Sequence, residues 1–481
     1  MADKWKTAIL WAVAAVLAAA TVALIICGKL PLAAALCVAP ILGLTVVKAF
    51  DNRMLSLSFI LLADFAIPVL EHYLPGMSMG MLMDATILFN VVVILFASIS
   101  GYKSSNVITI DLIAAVVIWL IYCIIEIANP NMRSIGVWLS AVRSMALYFL
   151  MVTIIVELTI TDFRKFMVIL KIWSVFVLVS FAKVMYQKYV GWTPGDVFFL
   201  NVMDGKRTHI IYYGTRYFSI FSDAANFGGS MGMAMTVFAI AGMHVKNAGE
   251  KIYFFIVAAC AGIGMFLSGT RSALPVPVAG VMVYLVLIKD FKKMVPITIV
   301  CAVAIGLLAF TEIGQSNAAI RRARTIFHKD EDLSYLIRKE NQKQLRGYMK
   351  ELPFGNGLGM SAGRAQRNGD YSPLTYIPTD SWIVQLWVET GIIGLLIYLA
   401  VMMYIFARGA YIIFFTLKNK MLAGMCSGLL AGVMGLFVMS TNNEVFTQFP
   451  NSILVYTSIA LVFISPQIEK RMVNNEIKFR I

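Results

Sequence analysis

Apolar runs of about 16 to 28 residues recur from one end of the chain to the other, and each is as long as a helix must be to cross the hydrocarbon core of a bilayer. We read about fourteen of them, at 7–27, 30–50, 55–70, 79–99, 108–128, 134–158, 164–190, 223–243, 251–268, 272–288, 294–311, 391–417, 421–440 and 451–465. A chain of 481 residues that is 60% hydrophobic and 14% charged, with mean hydropathy +0.80, has more apolar surface than a soluble core can hide. Lipid must be the solvent for most of it. The expected fold class is all-α, a polytopic membrane protein of about fourteen transmembrane helices. The first run follows a basic head, but at about twenty residues it is long for a signal peptide and is read as a retained first helix.

Orientation follows from the bases. With the N-terminus in the cytoplasm, Lys48 with Arg53, Lys103, Arg164 with Lys165, Lys246 with Lys251, Lys289 with Lys292 and Lys293, Lys418 with Lys420, and the tail residues Lys470, Arg471, Lys478 and Arg480 all fall inside. This is the positive-inside bias along the whole chain. The opposite connections, such as EHYLPG and TNNEVFTQFPN, are short and poor in bases, apart from two long ones at about 191–222 and about 312–381. The second carries about eleven Lys or Arg, which long loops tolerate because they cross regardless of charge. Its first half, IRRARTIFHKDEDLSYLIRKENQKQLRGYMKEL, reads as one or two amphipathic helices with Leu333, Leu336 and Ile337 as core contacts. PFGNGLGMSAG then breaks helix and lets backbone approach a ligand. At Thr379 or Asp380 a helix starts, capped by one of those side chains, and runs through Glu389 into the span at Gly391.

The formal charge of +14 is scattered through loops, where it sets orientation and meets anionic lipid, so no nucleic acid is expected as a partner. The six cysteines, Cys27, Cys37, Cys123, Cys260, Cys301 and Cys426, lie in apolar runs without pairing spacing and read as small core residues. His72, His209, His244 and His328 have no metal-ligand spacing, and no HExxH, DxD or carboxylate cluster occurs. No metal and no cofactor is expected. His328, in the long loop, is either a base or a surface histidine. Among charges placed within the spans, Asp64, Asp111, Glu126, Arg143 and Lys183 must pair or face water. An interhelical pair between Asp64 and Arg143 is expected, and Lys183, nearer the outer end, extends an anion-binding surface.

Three arginines sit at outer membrane–water boundaries: Arg216 before the span from Asp223, Arg271 in LSGTRSALP, and Arg346 in the amphipathic part of the long loop. Guanidinium forks hold phosphate oxygens and stay charged, so together they suit a diphosphate without a metal. Each read singly is also a side chain snorkelling to lipid phosphates. RYFSIFSDAANFGG entering a span, LSGTRSALPVPVAGVM, and PFGNGLG followed by TDSWIVQLWVETGIIGLLIYL occur in an order that resembles the O-antigen ligase and polymerase superfamily. These are membrane glycosyltransferases acting on undecaprenyl-diphosphate-linked oligosaccharides, and the resemblance covers roughly Arg216 to Leu399.

The resemblance implies that Arg216 and Arg271 bind the lipid diphosphate and stabilise it as a leaving group, with Arg346 as a third contact. Asn226 either touches a phosphate or is a buried, satisfied amide. Where ligases of the family tend to carry a His-Asn pair, this chain has Asp380 and Ser381, which favours the polymerase branch. Asp380 is either a general base toward the acceptor hydroxyl or a helix cap. Glu389 reads as structural.

The family implies a GT-C-like fold divided into 1–311, a transmembrane bundle; 312–390, a large periplasmic loop with amphipathic helices; and 391–481, the last spans and a cytoplasmic tail. It implies a metal-independent, inverting polymerase of surface polysaccharide in the bacterial inner membrane, its site facing the periplasm. Its partners would be the undecaprenyl-diphosphate-linked oligosaccharide, membrane lipids, and a chain-length regulator and flippase of the same pathway. Transfer to lipid A core or to a protein is the alternative within the family. A flippase of lipid-linked oligosaccharide is the alternative outside it, but that would line its spans with cations, and here the bases concentrate in outer loops.

Overall fold

The computed structural model describes residues 43–74, 79–100, 108–211, 214–288, 291–313, 321, 324, 333–361, 365–366 and 373–478. Among them ten helices are long and apolar enough to cross a membrane. They are α1 (Arg53–Tyr73), α2 (Gly80–Ile99), α3 (Ile110–Ala128), α4 (Ile135–Thr159), α5 (Phe163–Tyr189), α7 (Ala224–His244), α8 (Ala248–Leu267), α12 (Trp382–Thr416), α13 (Lys420–Met439) and α14 (Asn451–Asn474). Between these lie α6 (Pro194–Asn201), the shorter apolar α9 (Arg271–Leu287), α10 (Phe291–Phe310) and the amphipathic α11 (Leu333–Met349). The described residues therefore hold ten such helices where fourteen spans were expected; the first expected span and most of the second fall outside them. The only strands among the described residues are β1 (Ile210–Ile211) and β2 (Gly214–Thr215), a two-residue hairpin.

Small residues let the central helices pack closely where lipid offers no hydrophobic drive for association. Along α13, Gly428 and Gly432 face α7, where an added Cβ would come within 3.3 Å of the Val237 and Met233 carbonyls, and at Gly435 it would come within 2.2 Å of the Val276 carbonyl on α9. The outer faces of α2 and α3 leave Leu88, Phe96, Ile99, Ile118 and Ile125 exposed, as suits a surface turned to lipid.

The bundle has two chemically different ends. At one, Arg471 donates to the Thr161 carbonyl, Glu469 accepts from the Lys418 amide at 2.9 Å, and Lys171 pairs with Glu250 at 2.6 Å. The connections at 160–165, 245–251 and 417–420, which carry Arg164, Lys165, Lys246, Lys251, Lys418 and Lys420, thus lie at that end. At the other, Thr270 donates to the Ala224 carbonyl at 2.9 Å and the Trp382 amide to the Ser440 carbonyl at 3.0 Å, while Asn443 donates to Ser272. The stretches carrying Arg216, Arg271 and Asp380 converge on this second end.

The intramembrane charges pair differently from the expectation. Arg143, in a π-helical turn of α4, holds Asp84 at 2.6 Å, and Tyr148 donates to the same carboxylate. Asp64 has no hydrogen-bond partner among the described residues. The expected pairing fails because Asp84, in the first turn and a half of α2, already takes both the Arg143 guanidinium and the Tyr148 hydroxyl. Lys183 does not extend an anion surface: Asp196 and Thr193 of the α6 start take its ammonium at 2.8 and 2.9 Å. Arg408 pairs with Asp111 at 2.7 Å.

Candidate functional site

The site begins with the way Arg216 is held. The β1–β2 hairpin returns the chain so that the Arg216 amide donates to the His209 carbonyl at 2.7 Å. Its guanidinium donates to the Thr208 carbonyl at 3.0 Å and to Thr270 Oγ1 at 2.9 Å, while Nε finds no acceptor among the described residues. The following loop is locked to α5 through Ser219, whose φ of 55° lets its amide and carbonyl pair with the Gln187 side chain at 2.9 and 3.1 Å. Asp223 then caps α7, accepting from the Ala225 and Asn226 amides at 2.7 and 3.0 Å.

Arg271 opens α9 in a short 3-10 turn beside Thr270, the residue that already joins Arg216 to α7. Arg271 and Arg338 of α11 both lie near enough to Arg216 to repel it. Burial chiefly, and then these two cationic neighbours, pull the Arg216 guanidinium below its usual range, and Asp223 works against the shift. A guanidinium remains charged all the same.

Beside this cluster lies a cavity of about 460 Å³, lined by Thr208, Asp223, Arg338, Thr379, Asp380 and Glu444 among others. Among the described residues, Asp380 is one of three non-glycine residues with positive φ, at 55°. That conformation is uncommon for any side chain, and Asp is one of the few that tolerate it. It explains why Asp380 is not the cap. A cap residue needs extended backbone, and Ser381, at φ −151° and ψ 137°, supplies it by accepting from the Val384 amide. The Asp380 carboxylate instead takes one hydrogen bond from Asn341 of α11 at 3.1 Å. Thr379, the other expected cap, donates to Glu444.

Two expected contacts lie elsewhere. Arg346 is exposed on α11, two turns beyond Arg338, and does not line the cavity. Asn226 is fully buried and its amide is satisfied by protein: it donates to Ser222 at 2.8 Å and to the Phe449 carbonyl at 2.6 Å, and accepts from Asn451 at 2.6 Å. The apolar contacts of α11 were also misplaced. Leu336 and Ile337 are exposed, and the helix docks through Leu345 and Met349 against Leu374 and Val388. The signal for Arg338 was present in the sequence: it stands eight residues before Arg346, and only one of the two can face inward once Leu345 and Met349 fix the buried side.

The glycine-rich segment meets protein backbone where a ligand was expected. Helix α12 is broken at Gly391, φ 66° and ψ −170°, so the half-helix 382–390 ends inside the protein with carbonyls unpaired. The Asn356 amide donates to the Val388 carbonyl at 2.8 Å and the Gly357 amide to that of Glu389 at 3.0 Å, and Tyr122 Oη reaches the Thr390 carbonyl at 2.9 Å. Glu389, fully buried, accepts from the Gly359 amide, Ser361 and Gln385 at 2.8, 2.5 and 2.9 Å. The loop thus fixes the half-helix whose N-terminus presents Asp380.

Among the described residues no three His, Cys, Asp or Glu side chains group as a metal site. His328, read as either a base or a surface histidine, lies outside the described residues. No curated protein matches the chain. Residues 256–399, which include Arg271, Arg338, Asp380 and Glu389, match the family model described as O-antigen ligase. The match spans under a third of the chain and takes in Arg338, Thr379 and Asp380 of the cavity wall, so this part of the chain is similar to the O-antigen ligase family.

Proposed function

We propose that the protein is a polymerase that joins undecaprenyl-diphosphate-linked oligosaccharide repeat units into a surface polysaccharide on the periplasmic face of the bacterial inner membrane. The observation that carries this reading is Arg216, partly buried with Arg271 and Arg338 near enough to repel it, beside a polar cavity that Arg338 lines. A diphosphate is the ligand whose arrival relieves that repulsion. The base-rich end of the bundle supports the orientation, since by the positive-inside rule it faces the cytoplasm and the cavity faces out. Within the expected loop 312–390, the described residues 333–361 and 373–390 then face the periplasm beside the site.

In the proposed reaction the acceptor sugar hydroxyl attacks the anomeric carbon on the face opposite the diphosphate. The carbon–oxygen bond to the diphosphate breaks with inversion, and its electron pair leaves as the diphosphate. Arg216, Arg271 and Arg338 offset the charge developing on the departing group, a role that metals play in other transferases. Asp380 accepts the hydroxyl proton, with Asn341 orienting its carboxylate. A flippase delivers the substrate, and a chain-length regulator acts on the same product.

Substituting Asp380 with Asn keeps the shape and the tolerance of positive φ but removes the base. Chain elongation should fall by about a hundredfold or more, the scale of general-base catalysis, while protein level and melting temperature stay unchanged. A normal chain-length ladder from Asp380→Asn cells would remove the base role. Deleting the protein tests the wider assignment. Single repeat units capped on lipid A core mark a missing polymerase, long glycan retained on the lipid carrier marks a ligase, and substrate trapped on the cytoplasmic leaflet marks a flippase.

A further inference from the structure

His209 lies outside the proposed chemistry, yet it joins the two elements that place Arg216. Its imidazole is 2% exposed. Nδ1 stands 2.8 Å from the Gly205 carbonyl, which can only accept, so Nδ1 carries the proton. Nε2 then has a lone pair, and it accepts from the Ala224 amide at 3.1 Å, one of the unpaired donors at the start of α7. Through its own carbonyl, the same residue receives the Arg216 amide at 2.7 Å, and its neighbour Thr208 receives the Arg216 guanidinium. One side chain thus ties the helix start to the arginine hairpin, and it does so in a single tautomer.

We infer that His209 is a positioning residue that holds Arg216 in place only while its imidazole is neutral, so that acid on the outward face releases the arginine from the site. A second proton on this ring can go only to Nε2. There it would point an N–H at the Ala224 N–H, with a positive charge placed at the positive end of α7 and beside Arg216. The surroundings give that charge one close counter-ion. Asp223, the cap of α7, favours it, and Arg216 opposes it. Across Phe199 of α6, whose ring lies 5.2 Å from His209 and 4.5 Å from His72, stands a second histidine on α1, and behind it Lys183 is already held by Asp196. Lys206 and Arg207 on the histidine's own turn are exposed.

Burial, the largest effect, holds the His209 ring below the ordinary histidine value of 6.5. The sign follows. Above pH 6.5 the ring is neutral folded or unfolded and the contact contributes fully. As pH falls below 6.5 the unfolded chain takes up the proton first, and the stabilisation is lost progressively toward the folded-state value.

This inference depends on the glycosyl-transfer reading only for its effect on activity, so the deciding experiment reads backbone protection instead. Hydrogen exchange on the purified full chain in detergent, corrected for intrinsic chemistry, should show peptides covering 209–228 losing protection about tenfold per pH unit once the ring titrates, with a midpoint below pH 6.5. Peptides in α13 should not change. His209→Gln keeps an acceptor that does not titrate, and its exchange in 209–228 should be flat between pH 7.5 and 5. Flat exchange in the natural protein overturns the proposal, and so does a step that survives in His209→Gln, which would put the proton on another group such as His72. Should His209→Gln fail to fold, the exchange profile of the natural protein still decides. A glycan ladder that shortens at acidic external pH without a step in exchange counts against it as well, and leaves the transferase reading standing.

Discussion

Replacing Arg216 with Ala should abolish long glycan chains, with a fall of at least about a hundredfold in transfer, the range seen when one preorganised donor to a developing negative charge is removed. Two features make this the largest functional effect. The guanidinium is held by the Thr208 carbonyl and Thr270 Oγ1, so it needs no reorganisation when charge develops. It is also largely buried, with Arg271 and Arg338 nearby, so its hydrogen bonds count for more than they would in water. Arg216→Lys keeps a charge but loses the fork, so it should recover only part of the activity. Arg338→Ala should also shorten the chains severely, whereas Arg346→Ala, at an exposed site away from the cavity, should leave the ladder within about twofold, as surface changes do. The measurement is the surface-glycan ladder of cells carrying each variant, beside the amount of protein in their membranes. Full-length ladders from Arg216→Ala at normal protein level would sink the assignment of this arginine to the diphosphate. Equal losses at Arg346 and Arg338 would sink the placement of the site.

Much of this was legible in the sequence because membrane helices announce themselves by length and apolarity. The convergence of Arg216, Arg271 and Asp380 on one end followed from counting spans and reading the bases. Less legible were features that depend on rotation about a helix axis. Arg338 and Arg346 share one amphipathic helix, and only the docking of Leu345 and Met349 decides which of them looks inward. The pairing of Arg143 with Asp84 depends on helix depth and neighbours, which hydropathy does not report. The glycine loop was misread for a different reason. Glycines permit close approach but do not say to what, and here they approach the ends of a broken helix. That break was itself hidden, because Gly391 stands at the junction where the capped helix was read as running without a break into the span 391–417. His209 left no signal, since the contacts that tie it to α7 and to the Arg216 hairpin are to backbone atoms that carry no residue-type pattern.

Gly391→Ala should be the most destabilising single substitution of those considered, by more than about 3 kcal/mol. Gly391 holds φ 66° and ψ −170°, a region that is nearly glycine-only and strains any other residue by about 1–3 kcal/mol. Space forbids it as well, because an added Cβ would stand 1.9 Å from the Pro353 carbonyl oxygen, which is backbone and cannot swing aside. Either the half-helix 382–390 straightens or the loop 353–361 lifts away. Lifting would unpair the Val388 and Glu389 carbonyls and strip the buried Glu389 carboxylate of the Gly359 amide and Ser361. Each such loss is worth about 1–3 kcal/mol for a buried group, and more for a charged one. Straightening would carry Asp380 away from Asn341 and the cavity, so activity falls by either route. Gly347→Ala is the control: that glycine is exposed on α11 with nothing within 4 Å of its added Cβ, and the change should be neutral or raise stability by up to about 1 kcal/mol. Thermal unfolding of both variants in detergent separates the cases. An unchanged melting temperature for Gly391→Ala would mean that α12 runs straight through, and the account of how Asp380 is presented would fall with the break.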